Sequence, residues 1–130
     1  MKHTFEKKER LNRKSLIQRI FSGGHTFHVP PFRVTWLAAG EMAPAPFQVM
    51  ISVPKSHIRL AVDRNLIRRR IREAYRLNKM ILGEAGGKSE TPAAFCITYT
   101  SREILSFSTI QGKIILILQR LIKENEKVTR

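Results

Sequence analysis

Four arginines, Arg64, Arg68, Arg72 and Arg76, recur at intervals of four residues in the stretch AVDRNLIRRRIREAYRLNK, with Asn65 and Arg69 beside them. A guanidinium is a planar fork of donors that grips a phosphate through two parallel hydrogen bonds, whereas a lysine ammonium acts as a point charge. Residues at i and i+4 share a helix face, and like charges there repel by a few tenths of a kcal/mol per pair. A polyanion relieves that repulsion. On a ruler of about 100° per residue, Arg64, Asn65, Arg68, Arg69, Arg72, Arg76 and Lys79 fall in one arc. Leu66, Ile67, Ile71, Ala74, Leu77 and Ile81 fall in the opposite arc, which makes a core face and a positive face. Glu73 lies on the boundary. Arg70 projects from the apolar side and must snorkel outward or find a partner.

The rest of the chain agrees in sign. Lys and Arg number 24 against 10 Asp and Glu, a net charge of +14, in 130 residues. Half of that excess lies in residues 55–79, where Lys55 and Arg59 precede the arginine row, and another +5 lies in residues 1–19. Such a field favours nucleic acid first and anionic membrane second. A membrane-surface helix would want bulky Trp, Phe or Leu on its apolar side and no sheet to cover it. No run approaches the roughly 20 apolar residues of a membrane span, and the start lacks a signal-peptide segment, so a cytoplasmic protein is expected. Cys96 reads as a core thiol.

Catalytic signals are weak. Asp63 and Glu73 stand ten residues apart among cations, and His25 and His28 lack further ligands of suitable spacing, so no protein-bound metal is expected. GGKS at 86–89 is not a phosphate loop, because Leu82 stands where the pattern needs its first glycine and a helix precedes it. A DNA-binding helix-turn-helix would need a helix before the arginine helix, and a strand is expected there.

At 42% apolar, the chain can bury one core, and its length suits one domain. Residues 1–12 read as a basic leader and 127–130 as a tail, with a single domain over 13–126. Helical spacing of Leu16, Ile17, Ile20 and Phe21 predicts a first helix over 13–21, stopped by Gly23 and Gly24. Alternation of Phe32, Val34 and Trp36 with Arg33 and Thr35 predicts a strand, and Pro30 and Pro31 keep 27–29 a short separate or edge piece. Further strands are expected over 47–55 and 93–100. The arginine helix should run over 61–82, and a closing helix over 102–125 should carry Leu105, Ile114, Ile115, Leu118, Leu121 and Ile122, with Gly112 as its weak point. The order α-β-β-β-α-β-α predicts an α+β fold, a small antiparallel or mixed sheet packed with helices.

The arginine helix resembles the protein component of bacterial ribonuclease P. That family carries V-x-K-K followed by A-V-x-R-N-R-x-K-R-x-x-R-x-A-F, matched here by Val53, Lys55, Ala61, Val62, Arg64, Asn65, Arg68, Arg69, Arg72, Ala74 and Tyr75. An early hydrophobic, V-F pair and glycine look like Ile17, Ile20, Phe21 and Gly24. The resemblance covers about residues 9–125. Leu66, Ser56 and Arg70 depart from the pattern, as does Ile17 where the family commonly has Phe, and the glycine usual after the lysine pair is missing.

The resemblance implies a fold similar to one domain of a ribosomal protein. It implies a protein subunit that binds the ribonuclease P RNA, which supplies the active site, with magnesium on that RNA and no small-molecule cofactor. The holoenzyme removes the 5′ leader of precursor tRNA. RNA contacts are expected from Lys55, Arg59, Arg64, Asn65, Arg68, Arg69, Arg72 and Arg76. A cleft between sheet and first helix is expected to hold the single-stranded leader, with Arg13, Ile17, Phe21, Phe32, Arg33 and Trp36 as candidate lining. The alternative is a structural ribosomal-type RNA-binding protein with no role in cleavage.

Overall fold

A central strand buried along its whole length organises the sheet. In the computed structural model, which describes residues 24–37, 48–85 and 94–129, four strands form: β1 (His25–Val29), β2 (Phe32–Leu37), β3 (Gln48–Ser52) and β4 (Ala94–Tyr99). Their order is β1-β2-β4-β3, antiparallel except for the parallel pair β3 and β4. A parallel neighbour demands a long crossover, and the segment between β3 and β4 supplies it as α1 (Ala61–Asn78) and α2 (Met80–Ala85). The chain closes with α3 (Phe107–Thr129). The mixed sheet with helices is the α+β architecture expected. The first helix expected over 13–21, the leader 1–12 and the GGKS stretch lie outside the described residues.

Register assigns the two faces. Phe32 faces Tyr99, Val34 faces Ile97 and Trp36 faces Phe95, while Val49 pairs with Phe95 from the other side. These residues are buried in one cluster with Ile67, Ile71, Ala74 and Tyr75 of α1 and with Ile110, Ile114, Ile117, Leu118 and Leu121 of α3. Arg33, Thr35, Cys96 and Thr98 occupy the second face, since successive side chains of a strand point oppositely. The Cys96 thiol is fully buried beside Thr98, and burial pushes its pKa up, as a core thiol requires. β1 and β2 are joined by the turn at Pro30 and Pro31, and of the two readings open for 27–29, a separate piece or an edge piece, the structure has the edge strand, which begins at His25.

The helices depart from expectation in three places. First, the arginine helix stops at Asn78 rather than near Gly83, and α2 restarts after Lys79. The Asn78 side-chain amide donates to the Ala74 carbonyl at 2.8 Å and to Gln111 Oε1 of α3 at 3.1 Å, a local and tertiary competition with the helix ladder. Second, α3 begins at Phe107, capped by the Ser106 hydroxyl that accepts from Thr109 N at 3.2 Å. Residues 127–129, set aside as a tail by the sequence, continue this helix.

Third, Gly112 does not interrupt α3. It is exposed, and a Cβ there would meet nothing within 4 Å. Gly112→Ala is therefore expected to stabilise the fold by about 1 kcal/mol and to raise the melting temperature by about 3–5 °C in a thermal melt. An unchanged or lowered midpoint contradicts this.

Candidate nucleic-acid interface

The arginine helix divides into a buried and a charged side, but the buried stripe is not the one drawn by polarity alone. Ile67, Ile71, Ala74 and Tyr75 are buried, whereas Leu77 is 39% exposed and Leu66 half-buried. Tyr75, left out of the apolar arc by the sequence reading, turns inward and packs its ring edge-on against Phe95 with centroids 6.1 Å apart. The stripe is rotated toward Tyr75 by roughly 50° on a 100° ruler. Rotation brings Arg64 and Arg68 partly into contact with the protein and leaves Asn65, Arg69 and Arg72 exposed, while Arg76 is half-buried beside Glu73.

The arginines are organised rather than bare. Arg64 Nη1 donates to the carbonyls of Ile58 at 3.0 Å and Arg59 at 2.8 Å, so it ties down the segment that leads into α1 and carries Lys55 and Arg59, both exposed. That segment leaves β3 through a turn in which the amides of His57 and Ile58 both donate to the Pro54 carbonyl at 3.1 Å. Arg68 Nη1 donates to Asn65 Oδ1 at 2.8 Å, which fixes one guanidinium edge and leaves further donors on a group that has five. Arg76 makes a two-point pair with Glu73, Nε to Oε1 at 3.0 Å and Nη2 to Oε2 at 2.5 Å. That hydrogen bond lowers the Glu73 pKa and raises that of Arg76. The C-terminal end of the row is thus paired with a carboxylate that the helical ruler placed only at the boundary.

Arg70 resolves its own problem. Its Nη1 donates to the Leu105 carbonyl at 2.6 Å, pinning the loop between β4 and α3. Tyr99 pins the same loop, its Oη donating to the Glu103 carbonyl and accepting from Leu105 N at 3.3 Å.

Of the cleft candidates, Phe32 and Trp36 are 0% and 1% exposed and sit on the helix-covered face. They are core residues and offer no open ring for stacking. Alternation forces this separation, because it sets Arg33, exposed on the second face, against them. Arg13, Ile17 and Phe21 lie outside the described residues. Among the candidates that lie in the described residues, Arg33 is the one exposed on the second face.

Sequence reasoning missed the contribution of the loop after β4. Arg102 Nη1 donates to the Ser56 carbonyl at 3.4 Å, which bridges that loop to the entry segment of α1. No periodic signal marks such a contact. Arg120 of α3 was also missed. It lies over the Phe27 ring at 4.7 Å and donates to the His28 carbonyl at 3.2 Å, covering the edge strand. Among the described residues no group of three or more His, Cys, Asp or Glu is placed to hold a metal ion, and no helix is long and apolar enough to cross a membrane.

Comparison with known proteins gives one consistent result. The family model described as Ribonuclease P matches residues 5–122. The ribonuclease P protein component of Porphyromonas gingivalis is 35% identical over 105 residues, covering 81% of this chain and 77% of its own. That of Chlorobaculum tepidum is 33% identical over 126 residues, covering 90% and 82%. Among solved structures, the RNase P protein of Staphylococcus aureus superposes with a TM-score of 0.66 at 24% identity, over 88% of this chain and 97% of its own. That of Thermotoga maritima gives 0.64 at 24% identity, over 86% and 96%.

Proposed function

The chain belongs to the ribonuclease P protein family, and from that premise we propose that the charged side of α1 binds the RNA subunit of the enzyme and supports removal of precursor-tRNA leaders. The observation that carries this is the arginine face itself. Asn65, Arg69 and Arg72 are exposed on one side of a helix whose other side is buried, with Lys55 and Arg59 exposed just before it. Arg64 and Arg68 are held in place by hydrogen bonds made within the protein. Preorganised guanidinium donors lose less freedom on meeting phosphates, which favours binding to a structured RNA backbone.

The leader half of the reading rests on Arg33 of the second sheet face, with Phe32 and Trp36 taking no part. A positive groove tracks a single strand without demanding its sequence. The bond-breaking chemistry belongs, on this reading, to the RNA and to magnesium held by it. The described side chains of the arginine face supply charge and hydrogen-bond donors. Leader removal by the same-source ribonuclease P RNA at low magnesium, with and without the chain, tests the proposal.

Glu73 opposes this function, because it holds Arg76 in a two-point pair. Glu73→Gln is expected to tighten RNA binding several-fold and to steepen the salt dependence by up to about one unit of slope, as one more cation reaches phosphate. A salt titration of RNA affinity checks it, and an unchanged slope contradicts it. The pH dependence has a definite sign. The Glu73 pKa is lowered in the folded protein by the Arg76 hydrogen bond, so any stability from the pair is present above the unfolded value and lost as pH falls through the folded one. RNA affinity in the parent should rise over the same acid range, and Glu73→Gln should abolish that rise.

A further inference from the structure

The segment leading into α1 and the loop between β4 and α3 enclose an open pocket of about 460 Å³ lined by His57, Arg59, Leu60, Asp63, Arg102 and Ile104, with buried Ile58 at its base. Its walls are fixed from behind. Arg64 holds the first segment through the carbonyls of residues 58 and 59, Arg70 and Tyr99 hold the second loop, and Arg102 reaches across to the Ser56 carbonyl. The lining is of mixed character. Arg59 and Arg102 are exposed cations from two separate segments, while Leu60 and Ile104 expose 62% and 45% of their surface, large for apolar side chains. Asp63 contributes one acceptor.

A bare anion would use the cations and waste the apolar surface, and an apolar peptide would use the reverse. A nucleotide uses all three groups: phosphate on guanidinium forks, base on aliphatic surface, and a ribose hydroxyl or exocyclic amino group donating to the carboxylate. The volume falls in the range of small-ligand sites, roughly 300–1,000 Å³. We propose that this pocket docks a single unstacked nucleotide, from the RNA subunit or from precursor tRNA. The assignment to RNA rests on the function proposed above. The pocket is separate from the arginine row: it lies at the start of α1 and depends on Arg102 and Ile104, which the row does not include.

The test titrates the full chain with adenosine monophosphate and, separately, with inorganic phosphate, following backbone amides of 57–63 and 102–104 by NMR. Adenosine monophosphate should shift both segments at concentrations where inorganic phosphate does not. Equal responses, or none, overturn the nucleotide site. In parallel, Arg102→Ala and Ile104→Ser, both at exposed positions and checked for folding by thermal melt, are compared with the Arg68→Ala, Arg72→Ala double variant. Each pocket variant should weaken RNA binding roughly tenfold, Arg102→Ala lowering the salt slope by about one unit and Ile104→Ser leaving it unchanged. Weakening toward the RNA subunit alone assigns the nucleotide to it. Weakening only toward precursor tRNA in the assembled enzyme assigns it to the substrate. Undiminished binding by both pocket variants, with the double variant impaired, overturns the pocket and leaves the helix-face reading standing. Undiminished binding by all three overturns both.

Discussion

Replacing Arg68 and Arg72 together by alanine should weaken binding to the ribonuclease P RNA by roughly 100-fold, taking about 1.5 kcal/mol for each lost charge-assisted contact. The dependence of log affinity on log salt should flatten by about two units, since each phosphate contact removed spares about one released counterion. Folding should survive. Arg68 bonds only to Asn65 of its own helix among the contacts described for it, and Arg72 is exposed, so both changes belong to surface substitutions within about 0.5 kcal/mol in stability. An unchanged salt slope in a filter-binding or fluorescence titration would mean that the row is only a solvated face.

Phe95→Ala should do the opposite, crippling the fold without touching a charge. Phe95 is fully buried on β4, lies between Trp36 and Val49 in register, and meets the Tyr75 ring of α1 edge-on. Removing it opens a cavity at the junction of sheet and arginine helix, at a cost of about 3–5 kcal/mol. A domain of this kind has only about 5–15 kcal/mol in total, so the thermal midpoint should drop by about 10–20 °C. RNA binding measured well below that midpoint should be largely retained. A drop of a few degrees would contradict the central placement of this ring.

These two variants separate what the chain makes legible from what it hides. Alternation along FRVTWL and helical spacing along the arginine stretch express local geometry, and β2 and the start of α1 arise where those periods predict them. The rotation of α1 about its axis is not local. The apolar arc read from the sequence leaves out Tyr75 and includes Leu77, but an aromatic ring fits the sheet at Phe95, and that fit turns Tyr75 inward and Leu77 outward. The end of α1 is likewise decided at a distance, by Asn78 meeting Gln111 across the helix pair.

The candidate site shows the same division. The cations that face outward are visible in the spacing, while their internal ties are not. Nothing at short range says that Arg64 will reach back to two carbonyls, or that Arg70 will cross to Leu105. Arg70 also turns a departure from the family pattern into a structural role. A guanidinium among apolar neighbours finds its acceptor in the loop that forms one wall of the nucleotide-sized pocket. Two of the leader candidates, Phe32 and Trp36, are core residues for a reason the sequence already contained. Phe32 and Trp36 share a strand face, and Arg33 cannot share it with them.

On the function proposed, the arginine face makes the chain the protein subunit of an RNA-based enzyme. The measurement that tests it most directly is single-turnover cleavage of precursor tRNA by the same-source ribonuclease P RNA at low magnesium, with no protein, the parent chain, or the Arg68→Ala, Arg72→Ala variant. Leader removal at the mature 5′ end should rise strongly with the parent chain, rise much less with the variant at equal concentration, and be absent with the parent chain alone. Equal rates with and without the parent chain, or cleavage by the chain in the absence of RNA, would contradict it.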